Sequence, residues 1–268
     1  MTGPKRSLGQ NFLVEPSISR RIVEASGAAA GEPLLEIGPG RGALTGLLAE
    51  LGRPLVLLEK DDGLADALEE RFADRPQVTL VRGDAMRVDL DGLPLPGIGE
   101  RRIRAVANLP YNVASRIALR LLAWGGLRDA TFTFQREVAI RLAASPANRD
   151  YGALTVMAQV YADPFLLFPI PPSAFRPRPR VDSHVVRFRV LDQPRIGPDQ
   201  LPHFERVVRG VFQTRRKTLA NALRRVAGED LSATQLAEVL GDCDLDPRCR
   251  PETLSFAQFV ALARRLDR

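Results

Sequence analysis

The sequence predicts an α/β protein, with a Rossmann-like parallel sheet covered by helices and a small C-terminal helical domain. Three observations support this fold class. Short apolar runs alternate with helical patterns between residues 34 and 190, as is typical of a parallel sheet with both faces covered. A glycine-rich turn directly follows the first of these runs. Beyond residue 202 the apolar residues recur at helical spacing only.

Five apolar runs are predicted as strands, and the stretches between them as helices. The predicted strands are 34–37, 55–58, 78–81, 103–107 and 130–134. The predicted helices are 43–51, 64–72, 114–123 and 137–144. Gly52 is expected to end the first helix, because a glycine after the last periodic residue is a common stop signal. Residues 184–190 alternate between apolar and polar side chains, which predicts a half-exposed antiparallel strand.

A domain boundary is predicted within residues 191–202, a stretch with three prolines, one glycine and no apolar periodicity. We therefore expect two domains, residues 1–192 and 193–268. Two helix starts in the second domain carry capping boxes, Ser232 with Gln235 and Ser255 with Gln258.

Composition excludes several classes of protein. The chain of 268 residues is 45% hydrophobic and 26% charged, so it can bury a full core. Cys243 and Cys249 have no histidine near them in sequence, which argues against both a zinc site and a disulfide scaffold, so we expect no metal. The first 13 residues lack the apolar run of a targeting segment, and no stretch is long enough to span a membrane. We expect a cytoplasmic monomer that does not bind membranes.

The net charge of +6 lies wholly in the last third of the chain. Residues 176–268 contain 18 basic and 12 acidic residues, and the rest of the chain has equal numbers of each. Such a bias predicts a surface that binds a polyanion, attached to a neutral body.

The glycine-rich turn contains Gly38, Gly40 and Gly42 and is preceded by Glu36. Glycines at a strand-to-helix turn allow close approach of a ligand, although this spacing alone also fits a tight turn without one. Glu59 ends the next predicted strand, where a carboxylate can accept both hydroxyls of a ribose. Asp84 follows the third strand and could accept a hydrogen bond from an adenine amino group. Acidic residues at the ends of three strands, around a glycine turn, favour the binding of an adenosine with a cationic tail over that of a pyrophosphate.

Asn108, Leu109, Pro110 and Tyr111 follow the fourth predicted strand. The amino nitrogen of a base is a weak nucleophile, because its lone pair is delocalised into the ring. The Asn108 side-chain oxygen and the Leu109 carbonyl could accept its two hydrogens, which stabilises charge that develops on the nitrogen. Tyr111 could stack on the base and Pro110 stiffens the turn. A turn with a buried tyrosine is the alternative interpretation.

Two basic segments are candidates for nucleic-acid binding. Residues 175–180 begin with Phe175 and contain Arg176, Arg178 and Arg180 between prolines, a composition suited to a base face and flanking phosphates. Residues 207–225 hold six basic residues and no acidic one. They are Arg209, Arg215, Arg216, Lys217, Arg224 and Arg225. A solvated helix face is the alternative for such a charge run.

These motifs together resemble the ribosomal RNA adenine dimethyltransferases, nearly from end to end. The matching segments are 10–13, 36–45, Glu59, 83–85, 108–111, 175–183, 215–219 and 250–254. The resemblance is strongest to the small-subunit type, on three features: the leucine in Asn-Leu-Pro-Tyr, Pro39 between two glycines, and the long basic tail. Residues 131–134 depart from the pattern, since the family more often has a methionine-containing run there.

The resemblance implies a Rossmann-like methyltransferase sheet with S-adenosyl-L-methionine as cofactor. It also implies the reaction, the dimethylation of two adjacent adenosines in a loop near the 3′ end of small-subunit (16S) ribosomal RNA. The implied cofactor residues are Asn11, Leu13, Gly38, Gly40, Glu59, Asp84 and Asn108. The implied residues around the target adenine are Asn108, Leu109, Pro110, Tyr111 and Phe175. The expected RNA-binding residues are Arg176, Arg178, Arg215, Arg216, Lys217 and Arg250.

Three alternatives stay open on the sequence. A large-subunit methyltransferase of the macrolide-resistance type shares the family. A nicotinamide oxidoreductase shares the fold, and a ribosome-binding assembly factor could retain the fold without activity.

Overall fold

The computed structural model describes residues 10–28, 31–96, 103–214, 217–227 and 232–267. These residues form two compact units, one made of those up to residue 140 and of residues 162–193, the other of residues 141–161 and of those from residue 194 onward. The strands are β1 (Phe12–Leu13), β2 (Leu34–Ile37), β3 (Leu55–Glu59), β4 (Val78–Arg82), β5 (Ile103–Asn108), β6 (Leu127–Gln135), β7 (Ala162–Ile170), β8 (Phe175–Arg176) and β9 (Ser183–Val190). The helices are α1 (Pro16–Ala25), α2 (Thr45–Ala49), α3 (Asp62–Arg71), α4 (Ala114–Ala123), α5 (Arg136–Leu142), α6 (Ala153–Gln159), α7 (Leu201–Phe212), α8 (Leu219–Ala227), α9 (Ala233–Asp242) and α10 (Phe256–Leu266).

The first unit is built on a seven-stranded sheet in the order β4-β3-β2-β5-β6-β9-β7. The five strands from β4 to β6 are parallel to their neighbours, whereas β9 pairs antiparallel with both β6 and β7. Strands β2 and β3 are buried along their whole length, as expected for apolar strands covered on both faces. The chain order reverses between β2 and β5, and open sheets of this class bind ligands at that point. The predicted Rossmann-like α/β class is confirmed.

A short two-stranded sheet joins the N-terminal segment to the segment before β9. Strand β1 pairs antiparallel with β8, with Phe12 opposite Arg176 and Leu13 opposite Phe175. Pairing between segments this far apart in sequence has no local signal, and it was not predicted.

Most predicted elements occur at the expected places. All five predicted parallel strands and the antiparallel strand are present, within three residues at each end. The predicted helix 43–51 is shorter, because only Thr45–Ala49 is helical and turns occupy the residues before it. Gly52 adopts φ +65° after this helix, as expected of a left-handed stop. Helices α1 and α6 and strand β7 were not predicted.

The second unit contains helices α6 to α10. Both predicted capping boxes are formed: the Gln235 backbone N–H donates to Ser232 Oγ at 3.2 Å, and the Gln258 N–H donates to Ser255 Oγ at 3.2 Å. In each box the glutamine Oε1 accepts from the serine N–H at 2.9 Å. These bonds satisfy backbone donors that would be unpaired at the helix starts.

The predicted division of the chain at residues 192 and 193 needs a correction. One boundary between the units does lie at Gln193, but residues 141–161 belong to the second unit. Within that unit the Tyr151 ring packs against Phe212, with centroids 6.2 Å apart, and the Ala147 N–H donates to the Glu252 carbonyl at 2.7 Å. This assignment was not predicted because it rests on packing against residues about 60 to 100 positions away in sequence.

No helix in the described ranges is both long and apolar enough to cross a membrane. Cys243 and Cys249 are free thiols. Among the described residues, no group of three or more histidine, cysteine, aspartate or glutamate side chains is placed to hold a metal ion.

Candidate active site

A cavity of about 210 Å³ opens at the C-terminal ends of β2, β3 and β5, within the first unit. It lies where the strand order reverses, the position at which such sheets bind ligands. The seven residues predicted to bind the cofactor all line it: Asn11, Leu13, Gly38, Gly40, Glu59, Asp84 and Asn108. Leu109 and Pro110 line it as well. Residues from five separate segments of the sequence are thus brought to one site.

The glycine turn forms one wall of the cavity through its backbone. Gly38 and Gly40 have φ values of +61° and +58°, a region that residues with a Cβ seldom adopt. A Cβ at Gly40 would lie 3.1 Å from carbons of the Phe12 ring. Glycine is therefore required at position 40 for both its backbone angle and its lack of a side chain.

Glu59 is held at the end of β3 by three backbone donors. Its Oε2 accepts from the Gly40 N–H at 3.0 Å, and its Oε1 accepts from the N–H groups of Lys60 and Asp61, both at 2.9 Å. Burial raises the pKa of the carboxyl, and the three backbone donors oppose that rise. A carboxylate offers about four lone-pair positions, so one position, on Oε2, remains. Glu59 can therefore accept a ribose hydroxyl at this position, and its predicted contact with both hydroxyls stays a prediction.

Glu36 is the most deeply buried acid of the cavity, with 2% of its surface exposed. Its Oε2 has no hydrogen-bond partner among the described residues. Burial raises its pKa to about 8, and the Glu59 carboxylate adds to that rise while the Thr45 hydroxyl opposes it. Glu36 is therefore largely protonated at neutral pH and suited to ionise when a cation is placed beside it.

Asp84 is held by a backbone donor and by an ion pair. Its Oδ1 accepts from the Met86 N–H at 2.9 Å, and its Oδ2 lies 2.9 Å from Lys60 Nζ. These two contacts lower the pKa of Asp84. Lys60 also lines the cavity and was not predicted as a site residue, although its position directly after Glu59 at a strand end was an available signal.

The Asn108 side chain is hydrogen-bonded at both ends. Its Nδ2 donates to the Asn11 carbonyl at 2.9 Å, and its Oδ1 accepts from Thr133 Oγ1 at 2.8 Å. The first contact connects the end of β5 to the N-terminal segment, 97 residues away. Thr133 was not predicted as a site residue, because its contact depends on the register of β5 with β6.

Tyr111 and Phe175 do not line the cavity. The Tyr111 hydroxyl is hydrogen-bonded to Ser183 Oγ, and burial raises the pKa of this tyrosine. Phe175 has no exposed surface and packs in the hydrophobic core of the first unit. In this conformation the Phe175 ring therefore cannot stack on a base, and the expected stacking roles of both residues stay predictions.

The predicted RNA-binding residues divide into two groups. Arg176, Arg178, Lys217 and Arg250 are exposed to solvent. Arg176 donates to the Phe175 carbonyl at 2.9 Å. Arg215 and Arg216 lie outside the described residues. The roles of all six in RNA binding stay predictions.

The fold and the cavity together define a Rossmann-like protein with a ligand site at the carboxyl ends of its parallel strands. Comparison with known proteins narrows this class. Residues 2–261 match the family model described as "Ribosomal RNA adenine dimethylase". The chain belongs to this family, and it is a methyltransferase that uses S-adenosyl-L-methionine and acts on ribosomal RNA.

The relatives are similar over nearly the full length of the chain. The chain is 41% identical over 264 residues to the ribosomal RNA small subunit methyltransferase A of Geobacter metallireducens, covering 97% of this chain and 94% of that protein. It shares its fold with a dimethyladenosine transferase from Plasmodium falciparum, with a TM-score of 0.79 and 22% identity over 94% of this chain and 95% of that one. The 23S rRNA methyltransferase ErmE superposes with a TM-score of 0.71 and 26% identity, covering 96% of this chain and 100% of that one.

The residues of the cavity fit S-adenosyl-L-methionine. The buried Glu36 Oε2, which has no hydrogen-bond partner among the described residues, suits the cationic part of the cofactor, and the remaining lone pair of Glu59 suits a ribose hydroxyl. A Cβ at Gly38 would have no atom within 4 Å, so this part of the cavity wall leaves room that a side chain would fill.

Proposed function

We propose that this chain dimethylates the exocyclic amino groups of adenosines, two adjacent ones, in a loop near the 3′ end of small-subunit (16S) ribosomal RNA during ribosome maturation. The observation that carries the proposal is the Asn108 amide, which lines the same cavity as Glu36 and Glu59. This shared position supports a role for Asn108 as a hydrogen-bond acceptor for the base, beside the residues proposed to bind the cofactor. The small-subunit assignment is supported by relatives at about 40% identity that carry that name.

When bound, S-adenosyl-L-methionine would supply a methyl group on a cationic sulfur: the carbon–sulfur bond would break as the bond to the adenine amino nitrogen forms, S-adenosylhomocysteine would leave, and the nitrogen would lose one proton to solvent. The protein contributes position and hydrogen-bond acceptance and forms no covalent bond itself. The Asn108 Oδ1 and the Leu109 carbonyl accept the two amino hydrogens, which favours the form of the nitrogen whose lone pair is free to attack. The target base must leave its stack to reach the cavity, so an unpaired loop is the expected substrate.

We further propose that the first unit carries out the methyl transfer and that the basic C-terminal region contributes to RNA binding. The excess of basic residues after residue 175 supports this division. The chain is proposed to act as a monomer in the cytoplasm, where ribosome precursors are its partner.

The test is methyl transfer from labelled cofactor to three substrates: purified small subunits, large subunits and a random-sequence RNA. Mass spectrometry of the digested RNA then locates the product. Dimethyladenosine confined to small-subunit RNA is the expected result, and Asn108→Ala should reduce its rate about a hundredfold or more. Product confined to large-subunit RNA would assign the chain to the alternative branch. A wild-type protein that binds the cofactor but yields no product on any RNA would indicate an assembly factor without activity.

A further inference from the structure

Thr133 contacts the Asn108 side chain from the neighbouring strand. The two residues lie opposite each other in the parallel register of β5 and β6. Thr133 has 1% of its surface exposed, and its Oγ1 lies 2.8 Å from Asn108 Oδ1 and 3.1 Å from the Ala107 carbonyl. A buried hydroxyl thus adjoins the acceptor atom proposed to receive an adenine hydrogen.

The partners of the Asn108 amide determine its orientation. The Asn11 carbonyl can only accept a hydrogen bond, so the amide nitrogen must face it. The oxygen then faces Thr133, where it can only accept, so Thr133 donates. The threonine hydroxyl has a single hydrogen, and the Asn108 oxygen is nearer to it than the Ala107 carbonyl is. An amide held at both ends cannot turn its nitrogen toward the substrate.

We propose that Thr133 is a positioning residue for methyl transfer: its hydroxyl holds the Asn108 oxygen in the orientation that accepts a hydrogen of the target amino group. This inference rests on the proposed role of Asn108. An amide oxygen has two lone pairs, so one remains for the base while Thr133 occupies the other.

Thr131 provides a matched control. It lies two residues earlier on β6, on the same face of the strand, and has no exposed surface. Its hydroxyl has no hydrogen-bond partner among the described residues. Replacing either threonine with valine makes the same chemical change in a buried strand, but only Thr133→Val removes a hydrogen bond to Asn108.

The experiment compares Thr133→Val, Thr133→Ser and Thr131→Val with the wild type. We measure kcat and KM under saturating cofactor, cofactor affinity by calorimetry, and the Asn108 side-chain amide resonances by NMR of the protein without cofactor. Thr133→Val should lower kcat about tenfold, the effect of losing one hydrogen bond, and should shift the Asn108 resonances. Thr133→Ser should restore both, and Thr131→Val should change neither.

A second comparison separates positioning from folding. In an Asn108→Ala background, Thr133→Val should not lower the single-turnover rate further, because the side chain that Thr133 orients is absent. An equal loss in both backgrounds, or a Thr133→Val protein with wild-type kcat and unshifted Asn108 resonances, would overturn the inference. Should Asn108→Ala itself retain full activity, the proposed role of Asn108 fails, which is a result distinct from the failure of Thr133 alone.

Discussion

The backbone N–H of Gly40 donates a hydrogen bond to Glu59 Oε2 across 19 residues of sequence, at 3.0 Å. The carboxylate at the end of β3 therefore holds the glycine turn that follows β2. Because both residues line the cavity, one side chain shapes the wall of the site and also supplies an acceptor for the ligand.

Glu59→Ala should weaken cofactor binding and destabilise the protein without cofactor. One hydrogen bond between a charged acceptor and a ribose hydroxyl contributes about 1.5 to 3 kcal/mol, a factor of about 10 to 150 in affinity. Three backbone N–H groups also lose their acceptor, so the free energy of unfolding should fall. Calorimetry and chemical unfolding measure the two effects. The control is Glu70→Ala, which removes an exposed acid from α3 and should change neither cofactor affinity nor stability. A Glu59→Ala protein that binds the cofactor as tightly as the wild type would refute the ribose assignment.

The raised pKa of Glu36 predicts that the protein without cofactor loses stability as the pH rises. In the unfolded chain this carboxyl ionises near pH 4.5, but in the folded protein it does so near pH 8. Between these values the folded state binds more protons than the unfolded state, so the free energy of unfolding falls with increasing pH. The loss from pH 5 to pH 8 is on the order of 3 kcal/mol.

Glu36→Gln isolates this contribution, because glutamine cannot ionise. The difference in unfolding free energy between the variant and the wild type should grow as the pH rises through this window. Cofactor binding to the wild type should also release a proton near pH 7, which calorimetry in buffers of different ionisation enthalpy measures. The raised pKa of Glu36 would be contradicted if the unfolding free energies of the variant and the wild type changed with pH in parallel, and if both proteins released equal numbers of protons on binding the cofactor.

A buried ion-pair network near the opposite end of β5 should matter for stability and not for binding. Arg104 Nε lies 3.0 Å from Glu32 Oε2, and its guanidinium is 3.6 Å from Asp129 Oδ2. Without Arg104, Glu32 keeps only Arg128 as a cationic partner among the described residues and Asp129 keeps only Arg187, so Arg104→Met should lower the unfolding free energy by about 2 kcal/mol. Cofactor affinity should stay the same, since Asn108 lies four residues along the strand, about 13 Å away. Arg82→Met, which removes only exposed ion pairs, is the control and should cost less than about 1 kcal/mol.

Local patterns predicted the strand ends and therefore most of the cavity. The acids and the asparagine that follow β2 to β5 come together because parallel strands place their carboxyl ends on one edge of the sheet. A motif at the end of a parallel strand thus predicts the edge of the sheet on which its residues lie, without knowledge of the register.

Interactions that depend on register or on distant packing were not predictable in this way. The hydrogen bond between Thr133 and Asn108 requires the alignment of β6 with β5, and the burial of Phe175 requires the pairing of β8 with β1. The placement of residues 141–161 in the second unit depends on packing against helices that lie much later in the chain. None of these features leaves a periodic signal in the sequence.

The basic segment at residues 215–217 should set the salt dependence of RNA binding. Replacing Arg215, Arg216 and Lys217 with glutamine should weaken binding, and the slope of log affinity against log salt should become shallower by about 0.7 to 0.9 for each phosphate that the segment no longer neutralises. Activity at saturating RNA should largely recover, because these residues would hold the substrate without stabilising the transfer itself.

The control is a triple variant with the same change in net charge, in which Arg20, Arg75 and Arg149 are replaced with glutamine. It separates local binding from the overall charge and should leave the slope unchanged. Cofactor affinity should be the same in all three proteins. A solvated helix face predicts identical slopes and affinities for the wild type and the 215–217 variant, and that result would remove this segment from the RNA-binding surface.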